Sequence, residues 1–354
     1  MVFCKNYMQS FMGEFDIIKT YFSPLTIGFA GSLSLSDDAA VFAPPPKHEL
    51  VITKDAICEG VHFIGSESAD LIAGKALRVN LSDLAAMGAT PTCYFLALML
   101  PKNTSEEWIA KFANGLRETQ NEFKIHLAGG DTTATITDKI SISITAIGSV
   151  PIGCALQRNG AKIGDDIYVS GTLGDAALGL KLLSSLRGAE SDEAIHTEKE
   201  NWIALSATPP HNDNHLISRY LTPQPRLALG QGLRGIANSC MDISDGLLQD
   251  LGHICTASNV GAEIYATQIP ISEDAKKLDT SLLWYDKNCA FEAAISGGDD
   301  YELLFTVPSE KAHLIPKHII NCTKIGKIIA CNEVQLFDKN GGVITPSKKG
   351  FLHF

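Results

Sequence analysis

The spacing of apolar and polar positions changes several times along the chain, and each change predicts a different element. Trp108, Ile109, Phe112 and Leu116 fall on one helical face, and Thr104-Ser-Glu-Glu107 ahead of them is a capping-box pattern. Leu71 to Met87, rich in Ala and Leu, predicts a mostly buried helix stopped by Gly88 and Pro91. Ile140, Ile142 and Ile144 alternate with Ser141, Ser143 and Thr145, the period of a half-buried strand, and Leu50-Val-Ile-Thr53 is a shorter strand. After Val150-Pro-Ile-Gly153 the pattern restarts with a turn and strand at Gly164–Gly171, which places a domain boundary near 152 and divides the chain into 1–152 and 153–354. Strands are expected again around Glu302–Val307 and Val334–Phe337, whereas 185–215 is polar and turn-rich and reads as a surface excursion. The fold class expected is α/β with mixed sheets, in two domains that each have their own core.

Charge narrows the partners. The net charge of −11, with no Lys/Arg run, leaves nothing to lie along a nucleic-acid backbone, so a phosphate-bearing ligand would need cations to mediate. Apolar stretches such as Cys93 to Leu100 are too short to span a bilayer, and the first twenty residues lack the apolar region of a signal peptide. A cytoplasmic location is expected. The nine cysteines are scattered and never spaced C-x-x-C, which argues against zinc ribbons and a disulfide framework and for reduced core thiols.

The chemistry sits in short acidic motifs: Ser36-Asp-Asp38, Thr53-Lys-Asp55, Asn80-Leu-Ser-Asp83, Gly129-Gly-Asp131, Asp242-Ile-Ser-Asp-Gly246 and Gly297-Gly-Asp-Asp300. They read as lying at strand or helix ends. One Asp-Gly pair alone is usually a turn or cap. Asn80, Ser82 and Asp83 break that pattern by interrupting an apolar helix, where burial without partners is costly. Gathered carboxylates repel unless divalent cations hold them, and Mg²⁺ takes one or two carboxylates, several waters and substrate phosphate oxygens. The glycines beside the aspartates are expected to supply positive φ and to let phosphate approach main-chain N–H groups. No G-x-x-x-x-G-K-[ST], protein-kinase set, G-x-G-x-x-G after a strand, G-x-S-x-G or H-E-x-x-H is present, so the common phosphate loops and hydrolase centres are excluded.

In this order the motifs resemble the thiamine-monophosphate kinase family, part of the superfamily that includes aminoimidazole ribonucleotide synthetase and selenophosphate synthetase. The resemblance runs from Gly13–Ile18 through Glu59–Phe63 (EGVHF), Asn80–Ala89 (NLSDLAAMGA), Gly129–Thr133, Arg158–Gly164, Asp242–Leu247 and Ser296–Leu303 to Gly350–Phe354. It implies that Asp38, Thr53, Lys54 through its backbone, Asp55, Asp83, Asp131, Asp242 and Asp245 hold several Mg²⁺ ions around the ATP phosphates. It implies further that Gly130, Asp131, Arg158 and Ser244 touch ATP, that His62, Asp299 and Phe351 contact thiamine monophosphate, and that the protein is a homodimer of two-domain, synthetase-like subunits. The chain departs from the family pattern at three positions. Ser36 replaces a glycine, Lys54 a small hydroxyl residue, and Asp299 a glutamate.

The reaction the resemblance implies is in-line transfer of the ATP γ-phosphoryl group to a phosphate monoester, with no phosphoenzyme. Such an acceptor is already largely dianionic near neutral pH, so no dedicated catalytic base is expected. Rival readings are a sister ATP-dependent synthetase, a non-catalytic Mg-nucleotide-binding protein and a two-metal phosphohydrolase. Cys4 and Lys5 lack the glycine-rich context that selenium chemistry would call for.

Overall fold

The computed structural model describes residues 13–191, 213–280, 289–346, 348 and 350. Phe351, Cys4 and residues 192–212 of the polar stretch lie outside the described residues. The described chain forms two compact units. The first takes in the described part of Met1–Ala43 together with Lys54–Leu77 and Thr92–Ala146. The second takes in Pro44–Thr53, Arg78–Pro91 and the described part of Ile147–Phe354.

A single helical turn, α1 (Glu14–Ile17), precedes β1 (His48–Cys58) and α2 (Ala69–Ala86), the buried helix expected from the Ala/Leu-rich stretch. Then β2 (Thr90–Pro101), α3 (Glu106–Phe123) and β3 (His126–Thr135) form a crossover, with β2 and β3 paired in parallel. The cap of α3 falls one residue later than the sequence pattern suggests. Ser105, not Thr104, accepts the Trp108 N–H at 3.2 Å, while the Thr104 hydroxyl turns back to the Pro101 carbonyl. Ile109, Phe112 and Leu116 are buried as their spacing requires, and Trp108 stacks on Phe112 with ring centroids 5.1 Å apart.

With β4 (Ser141–Pro151), these strands form a four-stranded sheet in the order β1-β4-β2-β3. Serine-isoleucine alternation suggests a half-buried β4, yet the strand is buried along nearly all its length. Its inner position is the reason: both neighbours and both faces are occupied, and the Ser143 hydroxyl is satisfied by the Asp55 carbonyl at 3.1 Å.

In the second unit β5 (Asp166–Ser170), β6 (Ser239–Asp242), β7 (Gly261–Tyr265), β8 (Leu303–Val307), β9 (Cys322–Ile329) and β10 (Val334–Phe337) form a sheet in the order β10-β7-β9-β5-β8-β6. β10 pairs with β7 in parallel; the pairs β7–β9, β9–β5, β5–β8 and β8–β6 are antiparallel. Strand alternation divides the core. Ile167, Val169, Met241 and Leu304 join Leu247, Leu251 and Ile254 of α7 (Leu247–Ser258), helices α4 (Asp175–Ser191), α5 (Asp213–Leu221) and α6 (Leu227–Gly232) having come before it. Tyr168, Cys240, Leu303 and Phe305, one position out of step, join Leu229 of α6 and Leu233 on the other face. Both faces are therefore covered, which is why these strands read as continuous apolar runs. Helices α8 (Glu273–Thr280) and α9 (Cys289–Ser296) complete the described elements used below. Cys93, Cys240, Cys255, Cys289 and Cys322 are buried, as expected of reduced core thiols, and the eight described cysteines are free.

Candidate active site

In the first unit, the register of β3 against β2 slips between Tyr94 and Phe95, so that Tyr94 faces Leu127 but Phe95 faces Gly129. The extra residue, Ala128, makes a bulge that re-aims Gly129, Gly130 and Asp131. These residues border a cavity of about 440 Å³ that is also lined by Phe22, Leu35, Asp38 and Phe95. Its lining mixes apolar side chains with the carboxylates of Asp37, Asp38 and Asp131, and its size is that of a small-molecule site. A Cβ on Gly130 would meet the Leu96 carbonyl oxygen at 2.0 Å.

Asp55 lies on β1, and so does Lys54, but the strand's period separates them. Val51, Thr53, Asp55 and Ile57 share the more buried face, whereas Ile52, Lys54 and Ala56 are exposed on the other. The Lys54 ammonium extends to Thr145 Oγ1 at 3.5 Å. Only its backbone is on hand for the carboxylate face. Lys54→Ala is therefore expected to keep turnover within about twofold of wild type, and a tenfold loss in a steady-state assay would contradict this placement. His62 follows β1 in a turn, its Nδ1 accepting the Cys58 N–H at 3.1 Å, which puts the ring proton on Nε2. Lys75 donates to the His62 carbonyl at 3.0 Å.

In the second unit, the Thr53 hydroxyl donates to Asp83 Oδ2, and the Ser82 hydroxyl donates to Asp242 Oδ2 at 2.6 Å. Ser82 and Asn80 are both buried in α2, and the bond to Asp242 gives Ser82 the partner that burial in an apolar helix requires. Arg158 is exposed, with its carbonyl held by Ser258 Oγ at 3.3 Å; among the described residues no ion pair is formed by its guanidinium. Such a group is open to a phosphate.

Two loops carry the rest. Asp299 N donates to the Ser244 carbonyl at 2.9 Å, Tyr301 N to the Ile243 carbonyl at 2.8 Å, and Ile243 N to the Glu302 carbonyl at 2.8 Å. The loop after β6 and the loop before β8 are thus stitched together. Asp299 and Tyr301 both adopt the left-handed region, at φ 67° and 51°, and the Tyr301 hydroxyl donates to Asp299 Oδ1 at 3.2 Å. Strain at non-glycine residues is typical of sites where geometry matters more than local comfort.

Several expectations change here. Asp55 and Asp131 lie inside strands and Asp83 inside a helix, not at element ends, whereas Asp242 closes β6 as expected. Gly297 and Gly298, expected to supply positive φ, lie outside that region and close against neighbouring backbone. A Cβ on Gly297 would meet the Ala293 carbonyl oxygen at 2.4 Å, and one on Gly298 the Ser244 carbonyl oxygen at 2.4 Å. Positive φ falls on Asp299 and Tyr301 rather than on those glycines, because the stitched loop turns after them.

Sequence reasoning missed two buried acids in this unit, Asp250 and Glu302, and gave a third, Asp300 of the Gly297–Asp300 motif, no role of its own. Asp250 of α7 accepts three backbone N–H groups of the Ser244–Gly246 loop on one oxygen, and burial, opposed by those bonds, pushes its carboxyl up to about 7. Glu302 accepts from Arg219 at 2.8 Å, from Arg226 Nε at 2.8 Å and from Ser170, all of them distant in sequence. Asp300 accepts the Gly174 N–H at 2.7 Å, and burial pushes its carboxyl up to about 8 although Arg219 and that N–H favour the ionised form. The available signal was an acid within an apolar run, as in Leu247-Leu-Gln-Asp-Leu251.

The Asp300 shift fixes a sign. Its folded pKa is raised, so its favourable contribution is complete below the unfolded carboxylate range and is lost as pH climbs through about 8. Asp300→Asn should remove this loss while leaving an acceptor for Gly174. The melting temperature of the variant relative to wild type is expected to rise steadily from pH 5 to 8; a pH-independent difference would contradict it.

The donors assigned to metal are carboxylate, hydroxyl and carbonyl oxygens, a hard set that fits Mg²⁺ and not a soft-metal centre. Among the described residues no three His, Cys, Asp or Glu side chains form a metal-holding group.

Known proteins match this chain along most of its length. The AIR synthase related protein family matches with its N-terminal domain over residues 36–150 and its C-terminal domain over 162–339. Thiamine-monophosphate kinase of Haemophilus influenzae is 42% identical over 323 residues, 90% of this chain and 89% of that protein. The crystal structure of thiamine-monophosphate kinase from Stenotrophomonas maltophilia superposes with a TM-score of 0.73 at 39% identity, covering 88% of this chain and 91% of the other. A structure described as AaThiL complexed with AMPPCP and TMP gives 0.73 at 31% identity and covers 97% of each chain.

Proposed function

The chain belongs to the thiamine-monophosphate kinase family of AIR synthase related proteins, and we propose that its site carries out direct in-line transfer of the ATP γ-phosphoryl group to thiamine monophosphate. It is an ATP-dependent kinase of that substrate, yielding thiamine diphosphate and ADP. The observation that carries this reading within the site is the cavity bordered by Asp38, Gly129, Gly130 and Asp131, where apolar side chains suited to a flat ring meet carboxylates suited to phosphate-bound cations.

Roles follow from the donors. Asp38, Asp55, Asp131 and the Lys54 carbonyl in the first unit, with Thr53, Asp83, Asp242 and Asp245 in the second, are the oxygens that would hold Mg²⁺. Bound Mg²⁺ neutralises phosphate charge and orients the transferring group. Gly130, Asp131, Arg158 and Ser244 are assigned to ATP, Arg158 as a planar fork to phosphate. His62 and Asp299 are assigned to thiamine monophosphate, with Phe351, outside the described residues, as an aromatic cover. Asp299 is one methylene shorter than the glutamate of the family pattern, and its left-handed backbone and Tyr301 bond fix where its carboxylate ends. An amino-terminal domain, 1–152, is proposed to carry nucleotide, metal and dimer contacts, and 153–354 to complete the site. Exposed Leu50 and Ile52 on β1 support pairing of two copies through this sheet. No described helix is long and apolar enough to cross a membrane, and a cytoplasmic, non-nucleic-acid-binding enzyme is the reading we adopt.

Phosphorus NMR of the protein with ATP, Mg²⁺ and thiamine monophosphate, omitting each in turn, tests the assignment. Thiamine diphosphate formed in step with ADP supports it. ADP without diphosphate would point to a hydrolase, and no turnover despite Mg-ATP binding to a sister synthetase or a binding protein.

A further inference from the structure

We propose that Asp250 is a positioning residue for phosphoryl transfer: it holds the loop that presents Asp242, Ser244 and Asp245, an inference that rests on the reading of that loop as a cation and nucleotide site. Asp250 lies in the first turn of α7 and is 1% exposed. Its Oδ2 accepts the N–H groups of Ser244, Asp245 and Gly246 at 3.1, 3.1 and 3.2 Å. This is not an ordinary helix cap. A cap sits before the helix and accepts from donors inside it; here the residue before the helix, Gly246, offers no side-chain cap, and an acid inside the helix gathers donors from the loop outside.

Three consecutive N–H groups can converge on one oxygen only if the chain curls around it, so the carboxylate dictates the loop's shape. The curl leaves the Ser244 and Ile243 carbonyls turned to Asp299 and Tyr301, which couples it to the second loop. Burying an acid among Leu247, Leu248 and Leu251 costs stability that an apolar residue would not. A second consequence concerns the nucleotide. The N–H groups that a phosphate would use ahead of this helix are already occupied by Asp250, so the contact assigned to Ser244 falls to its hydroxyl.

The test compares Asp250→Ala, Asp250→Glu and Asp250→Asn with Asp245→Asn, measuring melting temperature, the Mg²⁺ concentration at half-maximal rate, and KM for ATP and for thiamine monophosphate. Asp250→Ala and Asp250→Glu, the second keeping the charge but displacing the oxygen, are expected to raise the Mg²⁺ requirement and KM for ATP at least tenfold, with a smaller rise in KM for thiamine monophosphate passed on through the Ser244–Asp299 bond. Asp250→Asn, which keeps an acceptor in place, is expected to stay within threefold of wild type. Folded Ala or Glu variants with wild-type Mg²⁺ and ATP dependence, while Asp245→Asn is shifted, would overturn the proposal. So would an Asn variant as impaired as Asp245→Asn, since charge and not position would then be at work. If Asp245→Asn itself leaves the Mg²⁺ dependence unchanged, the reading of the loop as a cation site falls and the proposal falls with it.

Discussion

Asp131→Asn and Asp242→Asn are each expected to lower kcat by about a thousandfold or more while the protein stays folded. The rate effect follows because metal-held charge at a transferring phosphoryl group supplies several kcal/mol, and about 1.4 kcal/mol corresponds to tenfold. The fold is spared for different reasons at the two sites. Asp131 is exposed on β3, so an amide there meets water. Asp242 is buried and accepts from Ser82, a bond that an asparagine oxygen can still take. Circular dichroism and melting curves close to wild type, beside lost thiamine diphosphate formation, are the outcome to look for; wild-type turnover in both variants would refute their assignment to metal.

Glu302→Gln should do the reverse, damaging the fold first. Its carboxylate is fully buried against Arg219 and Arg226, whose side chains are 8% and 20% exposed. Neutralising it leaves two largely buried guanidinium groups uncompensated, and breaking such a pair costs about 3–5 kcal/mol. For a unit of this size that is a fall in melting temperature of about 10 °C. The backbone of Glu302 also bonds Ile243, so activity is expected to fall with the loops it anchors. A variant melting within about 2 °C of wild type would mean that the triad contributes little beyond what solvent could supply. Replacing all three charges by apolar residues should then be compared, since a buried ionic group can be less stabilising than good packing.

Elements with a strong local signal were legible in the sequence. The buried helix expected from Leu71 to Met87 is α2, and the strand expected at Val334–Phe337 is β10, because periodicity is set by each residue's own neighbours. Legibility declined wherever the cause lies across the fold. Ser143 reads as solvent-facing until β4 proves to be an inner strand. Gly298 reads as a positive-φ residue until the turn proves to fall on Asp299 and Tyr301, with the Ser244 carbonyl against Gly298 itself. Glu302 carries no local mark, as its partners at 170, 219 and 226 come together only through the fold of the second unit. In the proposed site the aspartates were visible as motifs, but what holds them, Ser82 for Asp242 and Asp250 for its loop, is set only when the chain folds.

The alternation along β1 also limits how this gene can drift. Thr53 and Asp55 face one way and Lys54 the other only because one residue separates each from the next. Loss or gain of a single codon between Val51 and Ile57 would exchange the faces beyond it, exporting a carboxylate and bringing an ammonium in. Point changes at Lys54 should be tolerated freely in lineages of this chain, whereas length changes in that stretch should survive only in multiples of two.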